Sequence, residues 1–274
     1  MSVTITLLLR AALVAMAVLP VPVARASAEA ALRPDLADPV AGRQEVTFAD
    51  LVRLMPEPTG IRHIDGTEWS SERPEEAGLR HFAAIRARSG GHDRTVLLLD
   101  FGSARDSASG FVVLAAFDVA AEPRFLDAVD VAFDRWTSFA EPVRLPVGEG
   151  DDLLVTRSTH FNSGQGYATV ALILLRDDRF ELVDAVSMLD DRACAFERTQ
   201  QLDVRRGAGA PFADIRAVVT EVTEASGEEC GDAAMPEPAS RTIAVTYSWD
   251  AAARRYIADS DAFAVLAREN EKRF

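Results

Sequence analysis

The chain has 274 residues, of which 48% are hydrophobic, so it contains enough apolar side chains to form a folded core and is not a disordered protein. Its 43 acidic residues outnumber its 29 basic residues and give a formal net charge of −14. Because nucleic acids and anionic membranes bind clustered cations, this charge argues against both as partners.

Residues 1–26 have the features of a secretory signal peptide. The apolar stretch Ala11–Leu19 is too short to span a bilayer comfortably, and Ala24 and Ala26 supply the small-x-small pattern that precedes cleavage. Cleavage is expected after Ala26 or Ala28, and retention as an amino-terminal anchor is the alternative. No later stretch has the character of a membrane span, so the sequence predicts export to the bacterial periplasm or the extracellular space, with no integral membrane segment after signal removal.

Residues 27–78 are expected to form an amino-terminal arm, a short helix and a loop. The stretch Glu29–Gln44 is rich in Ala, Pro and Asp without periodicity, which is typical of a mobile arm. Thr47 followed by Asp50 is a capping signal in front of apolar positions, and Pro56 ends the predicted helix.

Residues 79–274 are predicted to form one antiparallel β domain with a carboxy-terminal helix. The helix is expected over Asp261–Lys272 with Ser260 as its cap. About ten strands joined by short turns favour an all-β meander folded as a sandwich, a barrel or a large curved sheet. The strands are predicted at Arg80–Arg88, Arg94–Phe101, Gly110–Val119, Phe125–Phe133, Leu153–Phe161, Tyr167–Leu175, Phe180–Leu189, Ala195–Val204, Phe212–Val222 and Arg241–Trp249.

A hairpin near the middle of this domain is expected to be central. Tyr167–Leu175 is apolar on both faces, which is typical of a strand covered on both sides. Asp177 and Asp178 are the expected loop residues before the next strand. This register predicts three facing pairs: Leu175 with Phe180, Ile173 with Leu182, and Leu172 with Val183.

Cys194 and Cys230 are the two cysteines of the chain. In an oxidising compartment such a pair favours a disulfide. A metal site would need two further ligands, and His63, His81 and His92 are scattered without ligand spacing. The sequence therefore predicts a disulfide, no metal site and no cofactor.

Three aspartates lie close together in the sequence near the fourth predicted strand. Asp130 and Asp134 fall on one strand face and Asp127 on the other. Glycosidase chemistry requires carboxyl groups across a cleft, so a solvated strand face is the preferred interpretation.

The string Ser158–Tyr167 concentrates hydroxyl, imidazole and amide groups in what is predicted to be a strand end and a glycine-containing hairpin loop. A rigid scaffold on either side makes this loop the expected functional surface. The candidate ligand-binding residues are His160, Asn162, Ser163, Gln165 and Tyr167.

Two function classes follow from this string. The favoured hypothesis is a binding or structural module without enzymatic activity, which would present a shallow polar or aromatic surface. The alternative is a hydrolase in which His160 acts as the base, Ser158 or Ser163 as the nucleophile, and Asp151 or Asp152 orients the imidazole. A hydrolase requires His160 to face both a hydroxyl and a carboxylate.

Overall fold

The computed structural model describes residues 30–56, 61–67, 78–103, 110–193, 196–226 and 237–273. Two helices and fourteen strands occur in these ranges. In chain order they are β1 Pro39–Val40, β2 Arg43–Thr47, α1 Phe48–Arg53, β3 His81–Ser89, β4 His92–Asp100, β5 Val112–Asp118, β6 Arg124–Asp130, β7 Trp136–Pro146, β8 Asp152–Asn162, β9 Gln165–Arg176, β10 Arg179–Ala193, β11 Phe196–Arg206, β12 Ile215–Ala225, β13 Ala239–Asp250, β14 Arg255–Ala258 and α2 Ala262–Glu271.

The strands form three antiparallel sheets whose neighbours follow chain order. The order is β1-β2 in the smallest sheet, β3-β4-β5-β6 in the second and β14-β13-β12-β11-β10-β9-β8-β7 in the largest. This meander confirms the predicted all-β class. The ten predicted strands are present with shifted ends, and β1, β2, β7 and β14 were not predicted.

The β9–β10 hairpin has the predicted two-residue loop. Asp177 and Asp178 both have positive φ (51° and 59°), which is the backbone that the right-handed twist of a hairpin favours. Leu175 faces Phe180 and Ile173 faces Leu182, as expected. The third predicted pair is wrong, because a bulge between Leu182 and Asp184 shifts the register and places Leu172 opposite Asp184.

The four-stranded sheet packs on β7–β10, and β9 is buried on both faces. Ile173 and Leu175 point toward Leu114 of the four-stranded sheet. Leu172 and Leu174 point the other way into the core shared with β12 and β13. Each of these side chains is at most 1% exposed, and burying one contributes about 1.5–3 kcal/mol. The expectation that this strand is central is confirmed.

The eight-stranded sheet folds over between β10 and β11. The 15-residue β10 pairs with β9 along most of its length, but pairs with β11 only from Asp191 to Ala193. β11 then borders β7, while β14 borders the opposite end of β10. The second leaf, β11–β14, therefore runs across the first leaf, β7–β10, and the complete arrangement is a sandwich of three β layers.

The amino-terminal segment covers the outer face of the four-stranded sheet. The predicted helix is present as α1, with a capping box between Thr47 and Asp50. Leu32 exchanges two backbone hydrogen bonds with Ala84 of β3 (both 2.9 Å), and Val40 is buried. The described part of Glu29–Gln44 is therefore attached to the sheet, and its prediction as a mobile arm is wrong.

The carboxy-terminal helix α2 is held by a buried polar network. Its N-cap is Asp261, without a side-chain capping bond; Ser260 instead donates to Asp259, so the predicted cap is wrong. Asn270 exchanges hydrogen bonds with Gln200 of β11 (both 3.0 Å), and Gln200 also donates to Glu221 of β12 (2.6 Å). Neither this helix nor α1 has the length and apolarity required to cross a membrane, and no other helix lies in the described ranges.

Candidate functional site

The predicted loop is the end of the β8–β9 hairpin, and most of it is strand. Ser163 and Gly164 form the turn with positive φ (49° and 114°), and Asn162 pairs with Gln165. His160 lies directly opposite Tyr167. The hairpin therefore has two distinct faces, because successive residues of each strand point to opposite sides.

His160 lies on the face directed toward the four-stranded sheet, held by a carboxylate and an aromatic ring. Its Nδ1 bonds to the Asp134 carboxylate, and its ring stacks on Tyr167 with centroids 4.2 Å apart and planes 7° from parallel. Asp134 lies in the β6–β7 loop, so the predicted partners Asp151 and Asp152 are wrong. Those two lie at the opposite end of β8, where they accept backbone N–H groups of the β3–β4 hairpin and where burial raises the pKa of each.

The two candidate nucleophiles do not contact His160. Ser158 is 1% exposed, its Oγ lies 2.8 Å from Thr137 Oγ1, and it accepts the backbone N–H of Phe133 (3.2 Å). Ser163 is exposed at the turn and donates to Asn162 Oδ1 (3.3 Å). Within the described residues, the hydroxyl that the hydrolase hypothesis requires is therefore not placed beside His160.

Gln165 and Tyr167 connect the hairpin to the end of the chain. The Tyr167 hydroxyl donates to Gln165 Oε1 (2.6 Å), and Gln165 Nε2 donates to the Arg273 carbonyl (3.3 Å). Burial, and then the negative charge of Asp191, raises the pKa of Tyr167. Tyr167 is therefore a neutral phenol that orients the His160 ring from one side.

The opposite face of the hairpin end is aromatic. Phe161 is 73% exposed and Trp136 of β7 is 51% exposed. Trp136 faces Thr159, which is two residues from Phe161 on the same strand face, so the two rings are diagonal neighbours. A depression of about 260 Å³ begins at Phe161 and Gly166 and extends along residues 190–192 of β10 and residues 197–199 of β11. A β-carbon on Gly166 would lie 3.1 Å from the Phe161 ring, so glycine permits this ring position.

Trp136, and Asp134 as the partner of His160, were not predicted because the segment between the fourth and fifth predicted strands has no strand signal. Their positions depend on the β6–β7 loop, residues 131–135, which precedes β7. A tryptophan directly after a charged turn is a weak indication of an exposed aromatic, and only the fold shows that it adjoins Phe161.

The same loop separates His160 from a second, buried imidazole. His63 is 2% exposed, its Nδ1 lies 2.7 Å from Asp65 Oδ1, and its ring meets Phe133 edge to face at 5.0 Å. Asp130 is also buried. Burial raises its pKa to about 6, although the hydrogen bonds that it accepts from backbone N–H groups and the nearby His63 act to lower the pKa. Asp130 and Asp134 are therefore partners of backbone and imidazole groups, and their interpretation as a solvated strand face is wrong.

A metal site is not formed by the described residues, since they contain no group of three or more His, Cys, Asp or Glu side chains placed to hold an ion. Cys194 and Cys230 lie outside the described residues. Phe196, the first residue of β11, pairs with Ala225, the last residue of β12, and these positions lie two and five residues from Cys194 and Cys230 in the sequence. The disulfide between Cys194 and Cys230 stays a prediction.

The fold and the site define a three-layer antiparallel β protein with an aromatic face and an imidazole face at one hairpin end. Comparison with family models, with curated proteins and with solved structures finds no match for this chain.

Proposed function

We propose that this protein is an exported, periplasmic binding module that contacts a partner protein through the β8–β9 hairpin end. The observation that carries the proposal is the exposure of two large aromatic side chains as diagonal neighbours, Phe161 at the end of the β8–β9 hairpin and Trp136 on the adjoining strand β7. Large aromatic side chains dominate the energy of protein interfaces, and each covers about 150–250 Å² when it is buried. The charge of −14 favours a partner that is not a polyanion.

The imidazole face supports the same proposal. His160 is oriented by Asp134 and Tyr167, and its Nε2 makes no hydrogen bond with the described residues. A ring nitrogen that is already oriented can bond to a partner group at low entropic cost. The hairpin end thus presents a polar group, His160, on one face and an apolar ring, Phe161, on the other. This arrangement suits a partner that contacts both faces.

A hydrolase is the second candidate, and the His160–Asp134 pair is the observation that favours it. A carboxylate on Nδ1 holds the imidazole in the orientation required of a general base. Because Ser158 and Ser163 do not contact His160, water would have to be the nucleophile. Hydrolysis of an activated ester by the wild type and by His160→Gln tests this candidate, and equal rates would remove it.

The interface proposal is tested with two double variants of the mature protein. Trp136→Ala with Phe161→Ala removes the exposed aromatic rings, and Ile257→Ala with Val265→Ala removes two exposed apolar side chains elsewhere. A partner captured from a periplasmic extract of the native host should be lost with the first variant and retained with the second. Equal capture by both variants, or equal loss, would contradict the assignment of the hairpin end.

The polar residues are tested by a triple variant in which His160, Asn162 and Gln165 become alanine. His160 and Gln165 also contact Asp134, Tyr167 and the Arg273 carbonyl, so the thermal midpoint should fall, and partner capture should be lost as well if the three side chains serve the partner. A loss of several degrees with capture unchanged would show that the three side chains are structural.

A further inference from the structure

A second concave surface lies where the two leaves of the large sheet separate. Its walls are β7 and β8 on one side and β11 on the other, and its volume is about 340 Å³. The groove exists because β11 leaves β10 after only three pairs, from Asp191 to Ala193, while β7 is the last strand of its sheet. A gap therefore remains at this point between the inner face of the first leaf and the edge of β11.

The floor of the groove is apolar and the mouth is polar. The floor is formed by Val155, Val170, Met188 and Val204, and each is at most 6% exposed. The polar lining includes Ser138, Glu141, Arg157 and Gln201. Ligand sites in proteins are typically concave, mostly apolar and furnished with a few polar groups that fix orientation.

Arg157 is the cation at this mouth. It lies two residues beyond Val155 on β8, so both side chains point to the groove side of the sheet. Arg157 is exposed and makes no hydrogen bond or ion pair with any described residue, including the neighbouring Glu141. An arginine fork that is free at the edge of an apolar recess matches a carboxylate, which accepts two parallel hydrogen bonds from it.

We propose that the groove binds an apolar carboxylate of about ten non-hydrogen atoms, with the acid group on Arg157 and the hydrocarbon on the Val155, Val170 and Met188 floor. The size follows from the volume, since a water-sized group occupies about 30 Å³ in a liquid. The net charge of the protein indicates how many negative charges the ligand carries. A polyanion is repelled by the net charge of −14, whereas a single carboxylate on a hydrocarbon chain is not strongly affected.

This inference is independent of the hairpin interface, because a small carboxylate in the groove requires neither Phe161 nor His160. The probe is decanoate, with decan-1-ol and decylamine as neutral and cationic analogues of equal chain length. Calorimetric titration of the mature protein at neutral pH and below the micelle concentration should detect decanoate binding. The alcohol should bind at least ten-fold more weakly than decanoate, and the amine more weakly still.

Two substitutions separate the acid contact from the apolar recess. Arg157→Gln should weaken decanoate at least ten-fold, since a charge-assisted hydrogen bond is lost. The matched control Arg216→Gln removes the same charge from an exposed position on β12 and should leave the affinity within two-fold. Ala140→Phe adds a ring to the groove lining and should abolish binding while far-ultraviolet circular dichroism confirms the fold.

The proposal is overturned if decanoate does not bind at millimolar concentration, or if Arg157→Gln binds it as well as the wild type. Equal affinity for decylamine would likewise show that Arg157 does not select the ligand. If heparin displaces decanoate and binds more tightly, the surface is a polyanion site, and the assignment of a small apolar carboxylate is wrong.

Discussion

Replacing Glu221 with glutamine is expected to destabilise the protein by on the order of 3 kcal/mol at neutral pH. The Glu221 side chain is only 8% exposed, and it accepts hydrogen bonds from Arg273 (2.9 Å), Arg241 (2.9 Å) and Gln200 (2.6 Å). Burial alone raises the pKa of Glu221, but these three donors outweigh it and lower the pKa from 4.5 to about 2. A shift of this size corresponds to roughly 3 kcal/mol, at about 1.36 kcal/mol per unit.

The sign of the pH dependence follows from the lowered pKa. A carboxylate of this kind stabilises the fold above its unfolded pKa and loses that contribution as the pH falls through its folded pKa. The difference between wild type and Glu221→Gln should therefore be complete above about pH 5 and shrink as the pH falls from 4.5 toward 2.

Urea unfolding monitored by tryptophan fluorescence across this pH range measures the difference. Glu224→Gln is the matched control, because Glu224 is an exposed residue of the same strand and loses the same charge. This control should change the free energy of unfolding by no more than about 0.5 kcal/mol. A penalty for Glu221→Gln that equals the control, or that stays constant with pH, would refute the assignment of the stabilising ion network.

Three further predictions concern the chain ends, the cysteines and a buried acid. Mass spectrometry of protein from the native host should find an amino terminus at Ser27 or Glu29, and intact Met1 in the cytosol would contradict export. Non-reducing peptide mapping should recover Cys194 joined to Cys230, a bond that contributes on the order of 4 kcal/mol in the chain-entropy model; two free thiols would exclude it. Burial raises the pKa of Asp130 to about 6, so the wild type should lose stability relative to Asp130→Asn as the pH rises from about 4 through 6. Urea unfolding measures this difference in stability. A difference that does not depend on pH would show that the carboxyl group is not its cause.

The central hairpin could be predicted because its signals are local. The alternation of β9 and the turn residues Asp177 and Asp178 specify two strands and their connection without information from elsewhere. The bulge after Leu182 could not be predicted, since an inserted residue leaves the composition of the strand unchanged. The local sequence pattern therefore specifies the turn and the first residue pairs, and the predicted pairing becomes less accurate with distance from the turn.

β7 was missed because Pro142 and Pro146 interrupt its pattern. Proline lacks the N–H that a strand between two neighbours must donate, so it argues against a central strand. β7 is the last strand of its sheet, where one side of the backbone needs no partner, and proline is tolerated there. Edge position is a property of the assembled sheet, which explains why Trp136 was not expected at the site.

The imidazole at the hairpin was predicted, but its partner was not. A carboxylate near His160 was expected from the neighbouring sequence, and the fold supplies Asp134 from the preceding loop instead. The contact requires the β6–β7 connection to cross between the two sheets, which no local spacing encodes. The same limit applies to Gln200 and Asn270, which meet only after β11 diverges from β10.

The position of β9 in the middle layer constrains the order in which the protein can fold. Because synthesis begins at the amino terminus, the four-stranded sheet and β7–β10 are made before the second leaf. Until β11–β14 follow, the face that carries Val170, Leu172 and Leu174 has no cover. Such a surface on an incomplete chain associates with other apolar surfaces, so a chain released before β11 should aggregate. Completion of the fold is thus coupled to arrival of the carboxy terminus, whose helix packs against β10 of the first leaf and β13 of the second.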